Sequence, residues 1–239
     1  MTKMKNLLLS ALVAAPLASS AAGMGIYIPF NITETEKHDF DSTYNSGKTT
    51  DTYEYKTSPG FGVAFDSNIG KDKLYNYRLG LEYRNATLDT INNHSYTGTY
   101  TKSMFNIVNT FGFSVYRNET VRLWIGPRLN IQFETSEHSR SSNYSNSSFG
   151  IGIAPTAGVN VSLGKVVALA FDVDYHVAGI AGSHEYTTTD YYGTTTKHDA
   201  YSGTNTGITA RFYVLLKFGE KFDTQTTQQS NEAVVDQSL

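Results

Sequence analysis

Asp174 and His176 stand two apart in DVDYHVA. An extended chain turns both side chains to one face, the arrangement in which a carboxylate orients an imidazole for proton transfer. The nucleophile for such a pair would have to be Ser or Thr, because the chain has no cysteine, and no G-x-S-x-G elbow marks one. A second group, His184 with Glu185 and His198 with Asp199, offers metal-ligand atoms at a spacing that matches no recognised ligand pattern. The plainer readings are an imidazole that joins a charged interior and a polar loop that happens to contain the other four. Thiol catalysis and thiolate metal sites are excluded. The Gly-rich GIGIAPTAG lies in an extended segment, without the following helix that would offer a phosphate its N-terminus. The expectation is therefore a protein without catalysis, cofactor or metal.

The elements that must position these residues are strands. Seventeen Tyr and 13 Phe against one Trp and five Pro fit extended segments, and abundant Thr, Ser, Gly and Asn fit long polar connections. A net charge of −3 and a pI near 6.1 leave no basic surface for nucleic acid. The opening MTKMKNLLLSALVAAPLASSAAG has Lys3 and Lys5, an apolar run from Leu7 and then small residues. That is the order of a secretory signal peptide, expected over residues 1–22 with cleavage near Ala21 or Ala22. No later segment reaches the ~20 apolar residues of a spanning helix, so any membrane insertion must be by strands.

In LYNYRLGLEYRN, Tyr75, Tyr77, Leu79, Leu81 and Tyr83 alternate with Asn76, Arg78, Gly80, Glu82 and Arg84. The same period of two runs through GMGIYIPFNIT, PGFGVAFD, MFNIVNTFGFSVY, VRLWIGPRLNIQFE, FGIGIAPTAGVNVSL, VVALAFDVDYHVA and GITARFYVLLKF. Asn109 interrupts the apolar face of its segment, and Pro127 and Pro155 fall inside two strands, where a bulge or kink is expected. About eight strands result, joined alternately by long polar stretches and short turns. That alternation is the mark of an antiparallel up-and-down barrel with two different rims.

The composition of the polar face decides which side is inside. It mixes Gly and Ala with Arg, Glu and Asp, whereas a solvated sheet face is seldom built on Gly. An eight-stranded barrel is just wide enough to be filled by interleaved large and small side chains. Arg78, Arg84, Arg122, Arg128, Arg211 and Lys217 then point inward with Glu82, Glu134, Asp172, Asp174 and His176, as a paired charge network. The apolar face meets lipid, with Tyr75, Tyr83, Phe133, Phe149, Tyr175 and Phe218 placed for interfacial girdles.

Through GLEYRN, WIGPRLNIQFE and GIAPTAGVNVSLGKVVALAFDVDYH, the chain resembles the small outer-membrane β-barrels of Gram-negative bacteria, the group of OmpA transmembrane domains, OmpX and opacity-type proteins. The resemblance implies an all-β, eight-stranded transmembrane barrel over residues 23–222, with a polar filled interior, short periplasmic turns and long outer loops. It implies outer-membrane lipid and lipopolysaccharide as surroundings, the barrel-assembly machinery as a partner, and a structural or surface-contact role toward an extracellular ligand or host surface. A narrow channel and a lipid-modifying enzyme using His176 are the competing classes. Members of the group commonly end on an aromatic residue, whereas here Phe218 and Phe222 are followed by a polar segment, read as a disordered periplasmic tail over residues 223–239.

Overall fold

The computed structural model describes residues 22–41, 48–69, 74–92, 94–95, 100–138, 144–190 and 193–218. The expected signal peptide and tail therefore lie outside the described residues, apart from Ala22, which already belongs to the first strand. The strands are β1 (Ala22–Asp41), β2 (Lys48–Thr57), β3 (Phe61–Asp66), β4 (Tyr75–Ile91), β5 (His94–Ser95), β6 (Tyr100–Arg117), β7 (Val121–His138), β8 (Tyr144–Leu163), β9 (Val167–Asp190) and β10 (Gly193–Phe218).

β2 and β3 are two lengths of one wall strand, and β5 is a short appendage of β4. The wall is thus a ring of 8 antiparallel strands, closed where β1 pairs with β10 from Ala22↔Phe218 to Phe40↔Tyr201. Both described termini and the short turns after β3, β6 and β8 lie at one end, and the long hairpins rise from the other.

Burial is inverted relative to a water-soluble domain. Met24, Ile26, Ile28 and Ile32 are exposed on β1, as are Ile151 and Ile153 on β8 and Phe212, Val214 and Leu216 on β10, whereas Arg78, Arg122, Arg128 and Arg211 are almost completely buried. Water would not leave so continuous an apolar wall bare; lipid does. All six aromatics expected at the interfaces are exposed on this wall. Phe61, Tyr83, Phe105, Phe133 and Phe149 form one unbroken cross-strand row over β3, β4, β6, β7 and β8. Asn109, on the same wall, leaves the register intact because Tyr77 covers it and donates its hydroxyl to Asn109 Oδ1 at 2.6 Å.

Two sequence expectations are corrected. The long polar stretches are mostly strand: β1 continues to Asp41, β9 to Asp190, and β9 and β10 stay paired up to Asp190↔Gly193. Beyond the bilayer both faces of a strand can be polar, so the alternation that reveals the lower strands disappears although pairing continues. The prolines are also not bulged. Pro127 and Pro155 are direct partners, and the β6–β7 and β8–β9 ladders skip two pairs beside them without a change of register. Each ring points at lipid, and each missing N–H is accommodated as a gap in the ladder.

The true register shifts are at Asn31/Thr33, Glu54/Tyr55 and Ser114/Tyr116. The first has the largest effect. Below it the odd residues Tyr27 and Pro29 face inward; above it the even residues Glu34, Glu36 and His38 do.

Candidate functional site

The candidate site is the bore. At the turn end, the segment after β3 folds back into the opening: Ile69 is buried with Tyr27, Ala64, Ala168, Ala170, Tyr213 and Leu215. Arg122 holds that segment, donating to the carbonyl of Asn68, to the carbonyl of Leu74 at 3.4 Å and to Ser114 Oγ. The backbone N–H of Asn68 donates to Asp66 Oδ1 at 2.9 Å, which joins the plug to the charges above it.

Arg78 comes next. Its Nε and Nη2 donate to Asp66 Oδ2 at 3.0 and 2.7 Å, and its Nη1 to Asp172 Oδ2 at 3.1 Å. The guanidinium lies 4.3 Å from the Tyr213 ring and 5.4 Å from that of Trp124. Arg128 pairs with Asp172 at 2.8 Å and with Asp174, and Arg211 joins Asp174 to Glu82 at 2.8 Å. Tyr27 and Asn106 donate to Glu82 at 3.2 and 3.1 Å. Arg84 lies 3.4 Å from Glu82 and donates to Asn31 Oδ1, and Asn31 in turn donates to Glu34.

Above this level Lys102 Nζ sits 2.5 Å from Glu34, 2.5 Å from Glu36 and 3.4 Å from Glu134, over the Tyr55 ring at 4.1 Å. Asn205 Nδ2 donates to both Glu34 and Glu36, Ser148 donates to Glu134, and His38 Nε2 lies 3.1 Å from Glu36. One connected path of ion pairs and hydrogen bonds therefore runs from Arg122 to His38. Removing a single ion would leave its partners buried and short of counter-charge.

Ten of the eleven residues expected on the inner face are buried there; Lys217 is half-buried at the turn end, its backbone N–H donating to Val166 O at 2.7 Å. Sequence reasoning missed Glu34, Glu36, Asp66 and Lys102. The alternation of FGVAFD places Asp66 with Gly62 and Ala64, and that of YTKSMFN places Lys102 with Met104, so both carried a signal. Glu34 and Glu36 carried none, because the shift at Asn31/Thr33 inverts the phase.

Among the described residues, neither chemical grouping assembles as a reactive centre. His176 Nε2 shares a hydrogen bond with Asn205 Oδ1 at 3.0 Å, and its Nδ1 lies 3.7 Å from Asp174, so neither ring nitrogen meets a hydroxyl of a described residue. His184 is buried inside the hairpin end, while His198 and Glu185 face each other at 3.6 Å on the exposed side. Glu34, Glu36 and Glu134 bring carboxylate oxygens within 4.8 Å of one another, as a cation site would, and the Lys102 ammonium stands among them.

Neither a protein-family profile nor a curated protein matches the chain. Among solved structures it is similar to the outer membrane protein OprG from Pseudomonas aeruginosa at 10% identity, over 83% of this chain and 94% of that one, with a TM-score of 0.59. Weaker likenesses are to Ail, the attachment invasion locus protein of Yersinia pestis (9% identity, 84% and 99% covered, TM-score 0.39), and to Neisserial surface protein A (13%, 77% and 95%, 0.30). At such identities the likeness concerns the fold. The class that the fold defines is the small antiparallel up-and-down β-barrel. The protein is an eight-stranded barrel of that type, with an apolar outer wall suited to lipid.

Proposed function

We propose that the protein acts as a closed structural barrel that works through its hairpin end, contacting an extracellular ligand or host surface. The observation that carries this reading is the unbroken charge network filling the bore, together with the Ile69 plug beneath it. A bore committed to internal pairing leaves the hairpins as the working surface, and rigid scaffolds commonly display function on such segments. The turn end faces the periplasm, since β1 starts where an exported chain would emerge from its signal peptide. Lipopolysaccharide surrounds the outer part of the wall, and the barrel-assembly machinery inserts the chain.

Replacing residues 187–196 with a Gly-Ser linker tests the reading. The variant is expected to keep its detergent-resistant fold and lose attachment to host cells or matrix. Unchanged attachment by that variant, and by equivalent replacements in the other hairpins, overturns it.

A narrow channel is the second reading. Buried Asn76 Nδ2, Asn130 Oδ1 and Asn160 Nδ2 lack hydrogen-bond partners among the described residues, which would suit water in the bore. Single-channel recording in planar bilayers separates the two, because a filled eight-stranded bore predicts almost no conductance.

A further inference from the structure

Above the Lys102 layer the bore ends in rings. His38 stacks on Tyr201 with centroids 4.2 Å apart, Tyr201 stacks on His184 at 4.6 Å, and His38 lies 4.6 Å from Tyr53 and 5.8 Å from His184. The cluster reaches across the opening: Tyr201 donates its hydroxyl to Asn146 Oδ1 at 3.0 Å, and Tyr100 shares a hydrogen bond with Ser136 at 2.5 Å. Tyr55, Leu88 and Tyr100 fill the remaining side. β1, β2, β4, β6, β7, β8, β9 and β10 all contribute to this closure. Two of its central members are imidazoles, the one side chain whose ordinary titration falls near neutral pH.

We propose that the His38–Tyr53–His184–Tyr201 cluster is a proton-operated cap, closed while His184 is neutral and loosened when His184 takes a proton. The groups facing His184 are His38 from β1, Asp51 from β2, Asn146 from β8, and Asp199 and Tyr201 from β10; Glu36 and Tyr53 stand against His38, with Lys102 and Glu134 behind Glu36. Asp199 and Asp51 favour the imidazolium, but burial and the neighbouring His38 outweigh them and hold His184 down to about 4.

The sign follows from linkage. Between the free imidazole's pKa of ~6.5 and about 4, the loosened state binds a proton that the closed state refuses, so closure weakens as pH falls through that window and is complete above it. Loosening admits water to the Lys102–Glu36 layer. The cap would thus respond to acidification outside the cell while the bilayer-crossing wall stays closed.

Amide hydrogen exchange on the full chain in detergent, corrected for intrinsic rates, tests this. Protection at the ends of β1, β2, β9 and β10 should fall roughly tenfold or more between about pH 7.5 and about pH 4.5, with no change in the lower wall. His184→Phe keeps a ring in the stack without a titrating nitrogen and should abolish the pH effect. His38→Phe is the second variant, and both are scored only after a heat-dependent band shift shows that they fold. Equal protection of the wild-type protein at both pH values overturns the proposal. A pH effect that persists in His184→Phe also overturns it, because the carboxylates would then be responsible.

Discussion

At the scale of single residues, the bore sets the energetics. Arg128 carries the charge between Asp172 and Asp174 and donates its Nε to Thr110 at 2.8 Å. Arg128→Met leaves two carboxylates sharing Arg78 and Arg211, and a broken buried pair costs about 3 to 5 kcal/mol. The expected outcome is a large fall in the temperature or urea concentration at which the folded band is lost on electrophoresis. A second test lies on the lipid side. Tyr77→Phe removes the donor to Asn109 and should destabilise by about 1 to 3 kcal/mol, whereas the double change with Asn109→Leu restores stability because both polar groups are gone. Urea titration of refolded protein in lipid vesicles measures both variants.

At the scale of elements, the bilayer-crossing parts were legible because lipid on one face and packed charge on the other force a period of two. Every inward arginine could be assigned from that period alone. The hairpin extensions lack the contrast, so Lys48–Thr57 reads as a loop although it is strand. The bulge at Asn31/Thr33 could not be read, and the inward placement of Glu34, Glu36 and His38 went with it. The turn SNIGKDK gave no hint that Ile69 would be buried. The paired prolines also belong to this scale. Pro127→Ala supplies an N–H where the β6–β7 ladder skips, and is expected to be neutral or stabilising by about 1 kcal/mol. A clear loss of stability in the same urea titration would mean that the gap is required.

At the scale of the whole molecule, the closed ring, the bare apolar wall and the paired bore predict a detergent-requiring protein with heat-dependent electrophoretic mobility. Cell fractionation with boiled and unboiled samples checks this, and release as soluble material without a shift would contradict the orientation of every strand. The Ile69 plug adds a statement about time. Its socket includes Leu215 on β10 and lies against Gly23 on β1, the two strands whose pairing closes the ring. The socket does not exist until the first and last strands have met, so the turn after β3 is a latch that drops only when assembly has finished. Contacts formed after the rate-limiting step slow unfolding without speeding folding. Ile69→Ala should therefore insert at the wild-type rate yet lose its folded band faster on heating, which makes this turn the timekeeper of the barrel's lifetime.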